Sequence, residues 1–382
     1  MRILVIGGTG PTGPHIVNGL VARGHRVTVL HTGRHEVATL PPPALVPHIH
    51  ADPFDRMSFA NAIAGLSFDI VFAMYGRLRM IVDEVVGRTS RLFSIGGVPV
   101  YPGFSDDDIR YPPGMRLGSR ETDAFSPLGE VRGITPTELA TRGGRSDKVA
   151  RIIQSEALVF DRHPQATHFR YPYIYGPNQL VPREWSVVKR VLDRRRILIL
   201  ADGGRSVDTV AYVENVAHAV LLAVDHIDVS AGTVYNVGDD ELYSRGQVAR
   251  IIADELGHSF EIINLPAEVA RPAYPTLQHH STQHRVVDTT RIRTELGYSD
   301  RVAPLEALRR TVRWQVEHLP GEHRRLMEVL QDPFDYAAED RLAELQRMFV
   351  ANCAAVAFTR EPGYTTAYYG PYDNPGVSLR RA

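Results

Sequence analysis

The sequence of 382 residues predicts an α/β chain: a doubly wound parallel sheet, then a smaller C-terminal domain and a helical extension. Three observations predict it. The chain opens on an aliphatic run, Ile3 to Ile6, that breaks at once into glycines. Short apolar runs then alternate with amphipathic stretches as far as Gly97, which is the pattern of strand and crossover helix. The same alternation returns between Arg205 and Gly238.

The opening run reads as a buried parallel strand, and Gly7, Gly10 and Gly13 follow it ahead of a helical pattern carrying Ile16, Val17, Leu20 and Val21. At that spacing Gly7 permits the tight reversal, Gly10 lets a pyrophosphate approach the backbone, and Gly13 lets the helix lie close on the strand. The helix N-terminus then faces the anion. Pro11 is placed at the helix entrance, where a missing N–H costs little, and the Thr9 and Thr12 hydroxyls are read as additional donors. A dinucleotide-binding, Rossmann-type turn is therefore expected.

The second strand, Val27 to Leu30, runs into His31-Thr-Gly-Arg-His35, with no carboxylate before Glu36 to hold a ribose 2′-hydroxyl. Arg34 can pair with a 2′-phosphate, with Thr32 as a lesser donor, so NADPH is expected in preference to NADH. Asp52 follows a short strand and is placed to accept from the adenine amino group. A helix over 54–66 and a strand over 69–73 come next, putting Ala73, Met74, Tyr75 and Gly76 beside the cofactor. A helix over 80–86 leads to a strand over 91–97 that ends in paired glycines.

Between Val100 and about Arg142, proline, glycine and acidic residues predict a long loop over the ligand face. Helical periodicity resumes at Val149, and His168 to Pro177 reads as a sixth strand leaving the sheet. Helices are expected over 187–195, 214–224, 247–256 and 305–317, and a strand over 234–238. The expected domains are 1–176 with 205–238 returning to it, a substrate-binding domain over 177–320, and C-terminal helices with a tail over 321–382. In that tail four tyrosines fall within nine residues, Tyr364 to Tyr372, which suits either a lid over a flat aromatic substrate or a surface docked on the chain or a second copy.

Composition narrows the function classes. The formal net charge of −1 offers no global field for nucleic acid or an anionic membrane, so neither partner is expected. The single cysteine, Cys353, excludes an internal disulfide and a cysteine-based zinc site. The sixteen histidines show no metal-ligand spacing, so no metal is expected; His279, His280 and His284 read as a solvated loop. The opening run is too short for a secretory signal or a membrane span, and a cytoplasmic location is the resulting expectation.

Over roughly residues 1–320 these landmarks resemble the extended short-chain dehydrogenase/reductases, a family of nucleotide-sugar epimerases, dehydratases and ketone reductases. The carriers are Gly7, Gly10 and Gly13; Asp52; Arg170 to Pro177; Arg205 to Val213; Asn236 to Gly238; and Asp288 through Leu296-Gly-Tyr298. The resemblance implies a catalytic tyrosine four residues before a lysine, with a hydroxyl residue at the end of the fifth strand. Lys148 fits the lysine, just ahead of its helix, as the group that holds the nicotinamide ribose. The tyrosine position is Gly144, and the hydroxyl position, counted from Val100-Tyr101, is Gly97.

Ser94, three residues back on the strand, and Tyr101, Tyr173 and Tyr175 are the candidate substitutes for the missing groups. The missing tyrosine, the chain length and the C-terminal extension resemble atypical members that reduce ketones on angucyclinones. The implied function is NADPH-dependent reduction of a small-molecule ketone on a bulky aromatic polyketide, in antibiotic biosynthesis, with the substrate assisting. A nucleotide-sugar epimerase or dehydratase, and a non-enzymatic dinucleotide sensor or RNA-binding relative, are the alternatives. Pairing through sheet-flanking helices, common in the family, leaves a homodimer open.

Overall fold

In the computed structural model, the described residues are 1–34, 37–74, 78–105, 111–130, 145–274, 276, 281–321, 323–330 and 334–360. They form two compact units, Met1–Asp335 and Tyr336–Ala382.

The first unit is built on seven parallel strands in the order β10-β6-β5-β4-β1-β2-β3. These are β1 (Arg2–Ile6), β2 (Arg26–His31), β3 (His48–His50), β4 (Phe68–Ala73), β5 (Thr89–Gly97), β6 (Thr167–Tyr171) and β10 (Thr233–Asn236). Successive side chains on a strand face opposite sides, and both sides of this sheet are covered, so β1 after Arg2 and the end of β4 are continuously apolar, while β5 and β6 bury Ser94, His168 and Arg170 as well. Ile3, Val5, Phe72 and Phe93 pack on one side against α1 (Gly13–Ala22), α6 (Val213–Asp225) and α8 (Thr290–Leu296). Leu4, Ile6, Val71 and Leu92 pack on the other against α2 (Arg56–Ala62), α3 (Leu78–Glu84) and α4 (Arg145–Arg162). The doubly wound sheet expected from the alternating pattern is thus present.

A smaller layer carries two short parallel pairs. They are β7 (Tyr173–Tyr175) with β9 (Val210–Tyr212), and β8 (Ile197–Ala201) with β11 (Glu261–Leu265). Around them lie α5 (Trp185–Leu192), α7 (Arg245–Glu255), α9 (Pro304–His318) and α10 (His323–Leu330), sharing a core of Trp185, Val188, Leu200, Ile252 and Val312. Ser244 opens α7 with a capping box, its hydroxyl accepting from the Gln247 N–H while the Gln247 side chain accepts from the Ser244 N–H.

Two expectations need correction. The stretch from His168 to Pro177 was read as leaving the sheet, but Thr167–Tyr171 sits inside it between β5 and β10, and only Tyr173–Tyr175 departs, after Pro172. Proline cannot donate to a ladder, so the strand breaks there. Lys148 lies within the first turn of α4 rather than ahead of it, because that helix already begins at Arg145.

The second unit is described by one helix, α11 (Tyr336–Ala354), which exposes Leu345, Met348, Phe349 and Val350. The tyrosine-rich tail lies outside the described residues, as do Tyr75, Gly76, Gly144, His279 and His280.

Candidate functional site

The turn after β1 has the shape that an anionic ligand requires. Gly7 adopts φ +84°, and a β-carbon there would meet the Met74 carbonyl at 3.0 Å. At Gly13 a β-carbon would lie 2.2 Å from the Gly8 carbonyl oxygen, so only glycine lets α1 approach the strand this closely. Above Gly10 the space is open. That combination, a tight turn with a bare backbone under a helix N-terminus, fits a dinucleotide pyrophosphate.

Thr9 and Pro11 are half-buried at its rim. Thr12, expected to offer its hydroxyl to the ligand, is instead buried as the residue preceding α1, and it faces the Tyr171 hydroxyl. Pro14, not Pro11, occupies the first helical turn.

At the end of β2, Thr32 Oγ accepts from the Arg34 N–H at 3.3 Å, and Arg34 reaches Asp52 at 3.8 Å with most of its side chain in solvent. Asp52 also accepts from the Phe54 N–H at 2.8 Å. Beside them, His31, His48 and His50 bring ring nitrogens within 4.8 Å of one another. Their protons are engaged locally: His31 Nδ1 accepts from the Gly33 N–H, so its Nε2 donates to His48 Nδ1 at 3.1 Å, and His48 Nε2 donates to the Pro41 carbonyl. Ala73 and Met74 close β4 with side chains buried, leaving their backbone at the strand end.

Beyond the carboxyl ends of β4 and β5 lies a groove of about 640 Å³. Phe54 stands at its border, Leu78 and Met80 supply apolar wall, and Gly96 and Lys148 also line it. Its remaining charged residues are Arg79 and Arg151; among the described residues no tyrosine, histidine or carboxylate lines it. Lys148 is exposed there.

Ser94, Tyr101, Tyr173 and Tyr175, the candidates expected from the sequence, do not line this groove. Ser94 is fully buried with its Oγ 2.7 Å from His168 Nδ1. The pleat turns it away from Gly97, three residues on. His168 Nε2 stands 3.3 Å from Glu156, which is also gripped by Arg170 at 2.7 and 3.0 Å. Burial pushes the Glu156 carboxyl up, but His168 and Arg170 outweigh it and hold the group at about 2.

Tyr101 continues this buried chain. Its hydroxyl accepts from Arg170 at 2.8 Å and donates to Asn236 at 2.7 Å, and burial raises its pKa to about 12. A phenol so placed is a poor proton donor near neutrality. Between the network and the groove stands Gly96, where a β-carbon would lie 2.4 Å from His168 Nε2. Gly97, by contrast, is extended at φ −157°, and a β-carbon there meets Pro99 at 3.2 Å.

Tyr173 and Tyr175 line a second cavity, of about 90 Å³, in the smaller layer. The Tyr173 hydroxyl donates to the Val181 carbonyl at 3.0 Å and contacts Glu184 at 3.2 Å. Tyr175 donates to Asp239 at 2.7 Å. Sequence reasoning passed over Tyr171, which pairs with Gly97 at the end of β6 and whose buried hydroxyl forms no well-shaped hydrogen bond among the described residues. Its place at a strand end beside the ligand crevice was the available signal.

Asp239 carries a testable charge state. Burial, reinforced by Asp300, raises its carboxyl from 3.8 to about 7, against hydrogen bonds from Tyr212, Tyr175 and Asn215. The folded chain therefore holds a proton that the unfolded chain releases, so this group's stability contribution is full below about 4 and is lost as pH rises through about 7. Unfolding in urea at pH 5 and pH 8 is expected to show the loss in the wild type and a smaller one in Asp239→Asn. An equal loss in both would assign the pH dependence to other groups.

No family model matches the chain. A 3-diazoavenalumate denitrifying reductase from a Streptomyces species is 27% identical over 307 residues, 78% of this chain and 95% of the relative. The UDP-glucose 4-epimerase of Thermotoga maritima, solved with UDP-glucose, superposes with a TM-score of 0.61 at 18% identity, over 84% of this chain and all of that one. The Bordetella bronchiseptica enzyme WbmH, solved with NAD⁺, gives 0.62 at 13% identity, over 83% and 99% of the two chains. These solved structures share the fold.

Proposed function

We propose that the chain is an NADPH-dependent reductase of the extended short-chain dehydrogenase/reductase type. In this reading it reduces a ketone on a bulky, angucyclinone-like aromatic substrate whose own hydroxyl stabilises the developing alkoxide. The carrying observation is the groove at the end of β5: Lys148 and Gly96 both line it, yet among the described residues no tyrosine, histidine or carboxylate does. When bound, the dinucleotide supplies the hydride. The turn at Gly7 to Gly13 holds its pyrophosphate, Arg34 and Thr32 face its 2′-phosphate, and Lys148 orients the ribose. The apolar walls exclude water and orient the ketone.

The likeness to a denitrifying reductase favours a second reading within the same class. An aryl diazonium that accepts a hydride yields the arene and dinitrogen, with no alkoxide to protonate, and so also dispenses with a protein acid. An epimerase or dehydratase needs a protein acid/base, and among the described residues the groove offers no tyrosine, histidine or carboxylate for it.

Consumption of NADPH should be followed with aromatic hydroxy ketones, aryl diazo compounds and sugar nucleotides. Turnover of the ketones supports the first reading, turnover of the diazo compounds the second, and turnover of the sugar nucleotides alone would sink both. No NADPH consumption together with no conversion of the sugar nucleotides, read by chromatography because epimerisation and dehydration consume no net coenzyme, would favour a dinucleotide sensor. Arg34→Ala is expected to weaken NADPH by ~10- to 100-fold, the loss of one charge-assisted pair, and to leave NADH nearly unchanged. Equal weakening of the two coenzymes, measured by titration, would remove Arg34 from the site.

A further inference from the structure

The small cavity behind β7 contains a cation without a counter-ion. The Arg183 guanidinium lies 3.6 Å over the Tyr173 ring, and its buried Nη1 has no hydrogen-bond partner. No carboxylate of the described residues lies within ion-pair distance of it. Desolvation lowers its pKa to about 10, the signature of a charge whose burial is not compensated.

The acids nearby hold other partners. Asp208 is paired with Arg245 through Oδ2, while its buried Oδ1 and the Arg245 Nη1 each lack a hydrogen-bond partner. Glu184 is in contact with Tyr173 and Gln315, and burial raises its carboxyl. Asp239 serves Tyr175, Tyr212 and Asn215. A fourth carboxylate in the lining, Glu241, accepts from the Tyr243 hydroxyl, and Leu200, Val248 and Leu308 supply apolar wall.

We propose that this cavity takes the carboxylate of an organic acid, anchored by Arg183 with Arg245 beside it and the acid's apolar arm along the aliphatic wall. The proposal names the substrate class of the reductase reading above and rests on it. A carboxylate matches the planar N–H edge of a guanidinium. A volume of about 90 Å³ admits such a head group, whereas nucleotide-sized ligands occupy several hundred. The position suits a substrate: Tyr173 follows Tyr171, the β6 partner of Gly97, by two residues, or at most ~7 Å of chain.

Binding of benzoate, 3-phenylpropionate and 4-hydroxycinnamate, each against its methyl ester, should be measured calorimetrically on the full chain without NADPH, with inorganic phosphate and UDP in parallel. At least one acid is expected to bind, with its ester at least tenfold weaker. Arg183→Met should lose at least tenfold for that acid and Arg183→Lys less, with NADPH affinity unchanged in both. Absence of binding by every acid, parity of acid and ester, indifference to Arg183→Met, or preference for phosphate or UDP would each overturn the proposal. If Arg183→Met does not fold, the acid-to-ester comparison on the wild type still decides. Failure of the reductase reading is separable: an acid that binds but is not reduced leaves the cavity's role intact, while a ketone reduced equally well with and without a carboxylate overturns only the anchor.

Discussion

Glu156→Ala is expected to destabilise the chain by ~3–5 kcal/mol, the cost of leaving a buried guanidinium without its partner. Glu156 and Arg170 are both almost fully buried, and their carboxylate and guanidinium meet through two hydrogen bonds. His168 and Tyr101 depend on the same two groups, so the loss extends from α4 to β6 and the loop after β5. Arg170→Met should cost a similar amount. The double variant Glu156→Met/Arg170→Met should recover much of it, because removing both charges also removes the desolvation penalty.

The Glu156 carboxyl is depressed from 4.5 to about 2, so its contribution is present above about 4.5 and is lost as pH falls through about 2. Urea unfolding near neutrality reads the mutational effect directly. A change below ~1 kcal/mol in the single variants would mean that the pair acts like a surface ion pair, contrary to its burial.

Masking the hydroxyl next to the substrate ketone as a methyl ether is expected to lower turnover by ~10²- to 10⁴-fold, the usual contribution of a positioned acid, while binding remains measurable. Tyr101→Phe, Tyr173→Phe and Tyr175→Phe should each leave the rate of the unmasked substrate within a few fold. Their hydroxyls are bonded to Asn236, Val181 and Asp239, and none lines the groove. Tyr171→Phe is the informative control, since that hydroxyl is the one least engaged. A large loss in Tyr171→Phe with the methyl ether still reduced would identify a relocated protein acid and end the substrate-assisted account.

Much of the sheet could be read from the chain because its signals are local. Alternating burial on both faces produces continuous apolar strands, and a glycine whose β-carbon would strike backbone is visible as a glycine. Strand edges and helix starts were less legible. Pro172 divided one apparent strand into two that pair with different partners, and Arg145 begins α4 ahead of its first apolar residue. The glycine turn after β1 was legible from residue spacing, since Gly7 and Gly13 each leave no room for a β-carbon. The fates of Ser94 and Tyr101 were not, since a hydroxyl's partner is set by residues about seventy positions away or more, His168 for Ser94, Arg170 and Asn236 for Tyr101. Arg183, which meets no carboxylate among the described residues, had no sequence signal at all: only the assembled wall shows which of many arginines is so placed.

The paired glycines that close β5 differ in what they allow an altered chain to become. At Gly96 any side chain would collide with the His168 imidazole, itself held by Ser94 and Glu156. Gly97 already has a backbone conformation open to every residue type, and its nearest obstacle is the edge of one proline ring. A serine at 97 would ask for a shift of a few tenths of an ångström, so packing does not enforce the loss of the hydroxyl. The chain therefore stands one substitution from a hydroxyl at the end of β5, at a position that packing leaves open while its neighbour is closed.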